Sequence, residues 1–179
     1  MDIHSDKGFL LLKSARPEEV GIALSILMEA SSWLSSRGID QWPMEWIVSP
    51  PLRAWVAECA REGELFFAET ERAKVGVFAV RKSQSDGDVF LWGKDSGVSA
   101  YLHSLAIRRA WSGRGLGREL LKHAEKLAAK AGRKTLRLDC GRGNPRLRRW
   151  YEDAGYELRG EGLPPNTGGR VLCLYEKTL

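Results

Sequence analysis

The 179-residue chain has no apolar run near the roughly 18 residues that a membrane-spanning helix needs. Its longest apolar stretches, Phe9–Leu12 and Val20–Met28, are short or broken by Ser and Gly. The first seven residues carry Asp2, Asp6 and Lys7, which is not the pattern of a signal peptide. A soluble, cytoplasmic protein is expected, without membrane partners. Cysteine is scarce and scattered: Cys59, Cys140 and Cys173 form no CxxC pair and read as reduced, buried thiols. With only His4, His103 and His123 besides, the sequence offers no metal site. Internal repeats and low-complexity linkers are absent, and no Gly-Lys-Ser/Thr occurs, which excludes a P-loop. At this length and composition a single domain covering residues 1–179 is expected.

Charge is present but modest. Lys and Arg exceed Asp and Glu by 28 − 23 = 5. The basic residues gather in two places, Arg108, Arg109, Arg114, Arg118 and Lys122, then Arg142, Arg146, Arg148 and Arg149. Beside Trp150 and Tyr151, the second group has the composition of a nucleic-acid surface. Interleaved Glu119, Glu125, Glu152 and Asp153 and the small net charge argue against a nucleic-acid partner.

Periodicity and punctuation give an order of elements. Phe9–Lys13 reads as a strand, and Ser14 followed by Pro17, Glu18 and Glu19 reads as a capped helix start. Val20, Leu24, Leu27, Met28 and Leu34 recur at helical spacing up to Gly38. An aromatic-rich connector, Ile39–Ser49, leads to a second helix opened by Pro50 and Pro51 and ending near Gly63. Leu65–Glu69 and Val75–Arg81 read as a strand pair, Ser83–Gly97 as a loop around Val89–Trp92, and Tyr101–Ile107 as a strand. Leu116–Ala131 carries one apolar stripe, Leu116, Leu120, Leu121, Ala124, Leu127 and Ala128, and stops at Gly132. Thr135–Cys140, Tyr156–Arg159 and Val171–Glu176 read as strands and Pro145–Ala154 as a short helix. The fold class is therefore mixed α/β, with hairpins toward both ends and one parallel pair around the long helix. The final strand, Val171–Glu176, offers an edge for pairing with a second copy, so a homodimer stays open.

The chemistry concentrates in Ser112-Gly113-Arg114-Gly115-Leu116-Gly117-Arg118, between a strand and a helix start. Glycines let backbone approach a ligand, and helix N-terminal amides attract a phosphate or pyrophosphate. A dinucleotide site, with Asp139 near the end of the next strand, is one reading. Against it, the spacing is GxGxG rather than GxGxxG, Arg108–Ser112 separate the glycines from the strand, and too little chain remains for a doubly wound sheet.

Leu105-Ala106-Ile107, a basic spacer and Gly113-Arg114-Gly115-Leu116-Gly117-Arg118-Glu119-Leu120-Leu121 resemble the acyl-CoA-binding motif of the GNAT acetyltransferases. Ser112 departs from that pattern, which has Gln or Arg there. Asn144, Leu147, Trp150, Tyr151, Gly155 and Tyr156 resemble the same family's downstream motif. The resemblance implies a GNAT-like fold: a central, mostly antiparallel sheet of six to seven strands with one parallel pair and about four flanking helices. It implies acetyl-CoA as cosubstrate and an amine acceptor, here read as a small molecule, with a protein amine as the alternative.

Site residues follow from the resemblance. The pantetheine arm would run beside Leu105, Ala106 and Ile107, with the Leu105 amide donating to the thioester oxygen. The pyrophosphate would lie on the amides of Ser112, Gly113, Arg114, Gly115, Leu116, Gly117 and Arg118. Asn144 would bond the donor arm, although Asn before Pro145 is also a good helix cap. Tyr151 would act as general acid toward the departing thiolate. Ala100-Tyr101-Leu102-His103-Ser104-Leu105 is similar to a strand of the arylalkylamine N-acetyltransferases, which makes His103 the candidate base and Tyr101 the matching second position. Glu69 and Glu45 are the alternatives. Trp33, Gln41, Trp42 and Trp46 fall where acceptor sites are lined in this superfamily, or else anchor a loop on the core.

Overall fold

In a computed structural model of the chain, residues 2–5, 8–165 and 168–179 are described. Met1, Asp6 and Lys7 of the amino-terminal segment, and Asn166 and Thr167 of the late turn region, lie outside them. The described residues hold eight strands. The chain divides into two compact units by its internal contacts.

The first unit holds Met1–Gly38, Trp42–Ala79 and Ser104–His123. Strands β1 (Asp2–Ser5), β2 (Gly8–Ser14) and β3 (Leu65–Glu69) pair antiparallel in sequence order, and β3 pairs antiparallel with β4 (Lys74–Arg81). Ser14 ends β2 rather than capping a helix. The turn into α1 is instead closed by Glu19, whose Oε2 accepts the Arg16 amide at 2.8 Å. A 3-10 turn, Pro17–Glu19, precedes α1 (Val20–Ser35). The aromatic connector contains a further short helix, α2 (Met44–Ile47), and α3 (Pro50–Arg61) is capped by Ser49 Oγ. The helical spacing read from Val20, Leu24 and Leu27 has its cause in the core: these residues, with Ala23 and Ile26, pack with Leu52, Val56 and Cys59 of α3 and with Phe67, Val77 and Ala79 of the strands. Each large apolar side chain buried this way contributes about 1.5–3 kcal/mol. The early part of α5 (Leu116–Lys130) seats Leu120 on Gly76, where a Cβ would lie 2.9 Å from Leu120 Cδ1.

The second unit holds Ile39–Gln41, Val80–His103 and Ala124–Leu179. In it β5 (Ser99–Ile107) pairs parallel with β6 (Thr135–Gly141), from Ser99 opposite Thr135 to Tyr101 opposite Arg137. A parallel pair needs a long crossover, which α5 supplies. β6 pairs antiparallel with β8 (Leu172–Thr178), and β8 with β7 (Glu157–Gly162). The last strand in sequence is thus interior in the strand order, hydrogen-bonded on both sides, and cannot offer the dimerisation edge expected of it. β7 is the terminal strand instead.

A second correction concerns 83–97. Asp86–Trp92 is a helix, α4, inside the segment read as a loop. Ser85 Oγ accepts the Asp88 amide at 3.2 Å, and Asp88 Oδ2 accepts the Ser85 amide at 2.8 Å, a reciprocal cap that starts the helix despite Gly87. Helix α6 (Pro145–Glu152) completes the elements. Among the described residues no helix is long and apolar enough to cross a membrane.

Candidate active site

The glycine loop sits where the sequence placed it. After β5 the chain makes a 3-10 turn, Arg109–Trp111, and passes through Ser112–Gly115 into α5. Gly113 and Gly115 have φ of +78° and +77°, which side chains rarely adopt, and nothing lies within 4 Å of the Cβ either would carry. The loop is bare and exposed at Gly113, Arg114 and Gly115, while Leu116 is buried. At the start of α5, the Arg118 and Glu119 amides bond the Gly115 carbonyl, at 2.9 and 3.2 Å. The amides before them precede the point where the helix can satisfy its own donors. Together they present positive partial charge around open space, which suits a pyrophosphate.

The turn before the loop is fixed to α1. Glu29 accepts the Arg108 guanidinium at 2.8 Å and the Arg109 amide at 2.6 Å. Arg108 also donates to Ser25 Oγ at 2.8 Å and to the Lys74 carbonyl at 3.1 Å, while its amide bonds the Val75 carbonyl at 2.9 Å. The Arg109 guanidinium lies 3.8 Å above the Trp33 ring. Trp33 is therefore engaged by cations of its own chain. Trp42 packs against the core, its carbonyl accepting Ser31 Oγ at 2.7 Å, and Trp46 remains 41% exposed.

Strand β5 contains a feature that its sequence does not announce. Ser104 has φ of +55°, the one non-glycine in the left-handed region among the described residues. Such a conformation costs about 1–2 kcal/mol and marks a place where tertiary structure overrides local preference. It breaks the regular alternation of the strand just before Leu105. Beyond it Ala106 is core, and Leu105 and Ile107 are half-buried.

His103, immediately before that break, faces a carboxylate. Its Nε2 lies 3.2 Å from Asp88 Oδ1, and Asp88 is 2% exposed. Burial alone would lower the imidazole pKa. Asp88 outweighs it, Asp139 adds to the rise and Arg81 opposes it, so His103 titrates above its usual value. Asp139 itself is raised, by burial first, with the Asp88 charge adding and His103 opposing. The matching second position, Tyr101, is committed elsewhere: its hydroxyl donates to Asp95 at 2.9 Å, and burial pushes it up to about 12. Glu69 is paired with Lys13 and with Lys74 at 2.6 Å, which hold it ionised below its usual range despite burial, so it is a poor base. Glu45 is exposed on α2.

Tyr151 lies on α6 and is 6% exposed. Its ring meets Trp150 edge-on at 5.1 Å, Tyr156 at 5.9 Å and Tyr175 at 6.0 Å. Burial raises its pKa first, and neighbouring Cys140 and Asp139 raise it further, so the phenol keeps its proton at any working pH. Such a group is present in its acid form, and burial at the same time weakens it as an acid. Asn144 caps α6, its Oδ1 accepting the Leu147 amide at 3.2 Å, which leaves its Nδ2 hydrogens for another partner.

Sequence reasoning missed Asp88, Ser104 and Glu29. For Asp88 a signal existed in Ser85-x-x-Asp88, a capping pattern at the start of an apolar segment. For Ser104 and Glu29 there was none, since both depend on contacts distant in sequence.

The chain matches the family model "Acetyltransferase (GNAT) family" over residues 27–156. It is 29% identical over 148 residues to the uncharacterized N-acetyltransferase YesJ of Bacillus subtilis, covering 80% of this chain and 79% of that one. A GNAT family acetyltransferase from Listeria monocytogenes has a crystal structure that superposes with a TM-score of 0.81 at 27% identity, over all of both chains. At 16% identity and a TM-score of 0.67, YncA of Salmonella typhimurium, solved with acetyl-CoA, shares the fold over 95% of this chain and 94% of its own. With the family model spanning both the glycine loop and Tyr151, this chain belongs to the GNAT acetyltransferase family.

Proposed function

We propose that this enzyme transfers an acetyl group from acetyl-CoA to a primary amine of a small-molecule acceptor, by direct attack of the amine on the thioester. The observation that carries this reading is the open glycine loop at the head of α5, with Gly113 and Gly115 in left-handed conformations. The pyrophosphate takes the amides of Gly113, Arg114, Gly115, Leu116 and Gly117, because those of Ser112 and Arg118 already bond the Arg109 and Gly115 carbonyls, and the Arg114 and Arg118 side chains add charge. The pantetheine arm adds alongside Leu105–Ile107, and the Leu105 amide donates to the thioester oxygen as negative charge develops there. Asn144 offers Nδ2 to the donor arm.

The amine nitrogen attacks the carbonyl carbon and gives its proton to His103. The carbon–sulfur bond breaks, and the leaving thiolate takes the proton of Tyr151. Support for these two roles comes from their opposite environments. A carboxylate beside His103 makes it more basic, whereas Tyr151 is held neutral by burial.

Thermal unfolding with and without acetyl-CoA, followed by a panel of amines with release of free thiol as the readout, tests the reading. A ligand at 100 times its Kd should stabilise the fold by about 2.7 kcal/mol. Stabilisation by acetyl-CoA together with amine-dependent thiol release is the expected result. Stabilisation by NAD or duplex DNA in place of acetyl-CoA would overturn it.

A further inference from the structure

We propose that Asp88 is the positioning residue for His103: the cap of α4 fixes one carboxylate oxygen so that the other faces the imidazole, orienting the ring and setting the pH at which it can accept the acceptor's proton. This rests on the reading of His103 as the base. The two oxygens of Asp88 have separate tasks. Oδ2 accepts the Ser85 amide at 2.8 Å and the Ser85 hydroxyl at 2.6 Å, which locks the side chain at the third position of the helix. Oδ1 is thereby directed at His103 Nε2, 3.2 Å away. A carboxylate 3.2 Å from Nε2 favours the protonated imidazole and holds the ring toward α4. The short helix within 83–97 thus gains a purpose in the chemistry.

Other charges face the ring as well. Asp139 from β6 supports the protonated form and Arg81 from β4 opposes it. Of the two carboxylates, Asp88 favours the protonated ring the more strongly.

The test combines the pH profile of kcat/KM with an NMR titration of the His103 ring. The chain has three histidines, and loss of one signal in His103→Gln assigns it. In the wild type the ring titration and the acid limb of kcat/KM should coincide above about 6.5. Asp88→Asn should move both down by about one pH unit and lower the plateau about tenfold. Ser85→Ala removes one of the two bonds on Oδ2 but keeps the Ser85 amide and the carboxylate, so both pH values should fall by clearly less than in Asp88→Asn.

Asp88→Asn with an unmoved ring titration would overturn the proposal, as would Ser85→Ala moving the titration equally far. Full activity of His103→Gln across pH 6–9 would instead remove His103 as base and Asp88's part in catalysis with it. The ring titration separates that failure from the first, because it reads the Asp88–His103 coupling without turnover.

Discussion

Gln41 Oε1 accepts the Gly141 amide at 2.9 Å, so the aromatic connector is tied to the last residue of β6, three positions before Asn144. A Cβ at 141 would lie 3.0 Å from the Asp40 carbonyl and 3.2 Å from Gln41 Oε1. Backbone cannot yield as a flexible side chain can. Gly141→Ala should therefore loosen this tie and destabilise by about 1–3 kcal/mol, a fall in Tm of about 2–4 °C per kcal/mol, read by calorimetry. Gln41→Ala should weaken the same tie without the clash, at about 1 kcal/mol.

Tyr151→Phe removes one oxygen and keeps the ring among Trp150, Tyr156 and Tyr175. If the phenol protonates the thiolate, kcat should fall about a hundredfold. Acetyl-CoA affinity, measured by calorimetric titration, should change by less than about twofold. Unchanged kcat would remove Tyr151 from the chemistry.

Gly115→Ala puts a side chain into open space, so any loss cannot come from a clash. The cost lies in φ of +77°, about 1–2 kcal/mol for a residue with a Cβ. The backbone should relax toward another conformation and turn its amides away. Acetyl-CoA Kd should rise at least about tenfold, with kcat at saturation little changed. Equal Kd values in the two proteins would argue that the loop does not hold the donor.

Asp95 organises the turn into β5. Its carboxylate accepts the Val98 amide at 2.8 Å, the Ser99 amide at 3.2 Å and the Tyr101 hydroxyl, and it pairs with Arg137 at 3.2 Å. Burial pushes its pKa up, but these partners win and bring it down to about 2. The sign follows: the stabilisation is complete above about pH 4 and is lost as pH falls toward 2. It should amount to about 2 kcal/mol. Asp95→Asn should lower Tm at pH 7 and show a smaller difference from wild type at pH 2, seen in parallel melts.

Much of this molecule could be read from local chemistry. The apolar stripe of α5 and its stop at Gly132, the strand Leu65–Glu69 and the glycine loop are written in spacing and residue type, and the structure places them with the predicted bounds or within a residue. The features that aim the chemistry were less visible. Ser104 takes a glycine-like φ because its surroundings demand it, not because serine favours it. Asp88 and His103 lie fifteen positions apart, and a polar, glycine-bearing segment of seven helical residues resembles a loop until its cap is recognised. Glu29 and Arg108 are separated by 79 positions, beyond the reach of any periodic pattern.

The bonds of Arg108 have a consequence for reading related sequences. Three guanidinium nitrogens go in three directions, to the Lys74 carbonyl, Glu29 and Ser25. A lysine carries the same charge on a single nitrogen and cannot reach all three at once. A substitution matrix scores that exchange as mild, yet here it would unfasten the turn that leads into the glycine loop. Relatives with lysine at this position must anchor that turn by other means, so a branch carrying the exchange should show compensating changes at positions 25 and 29.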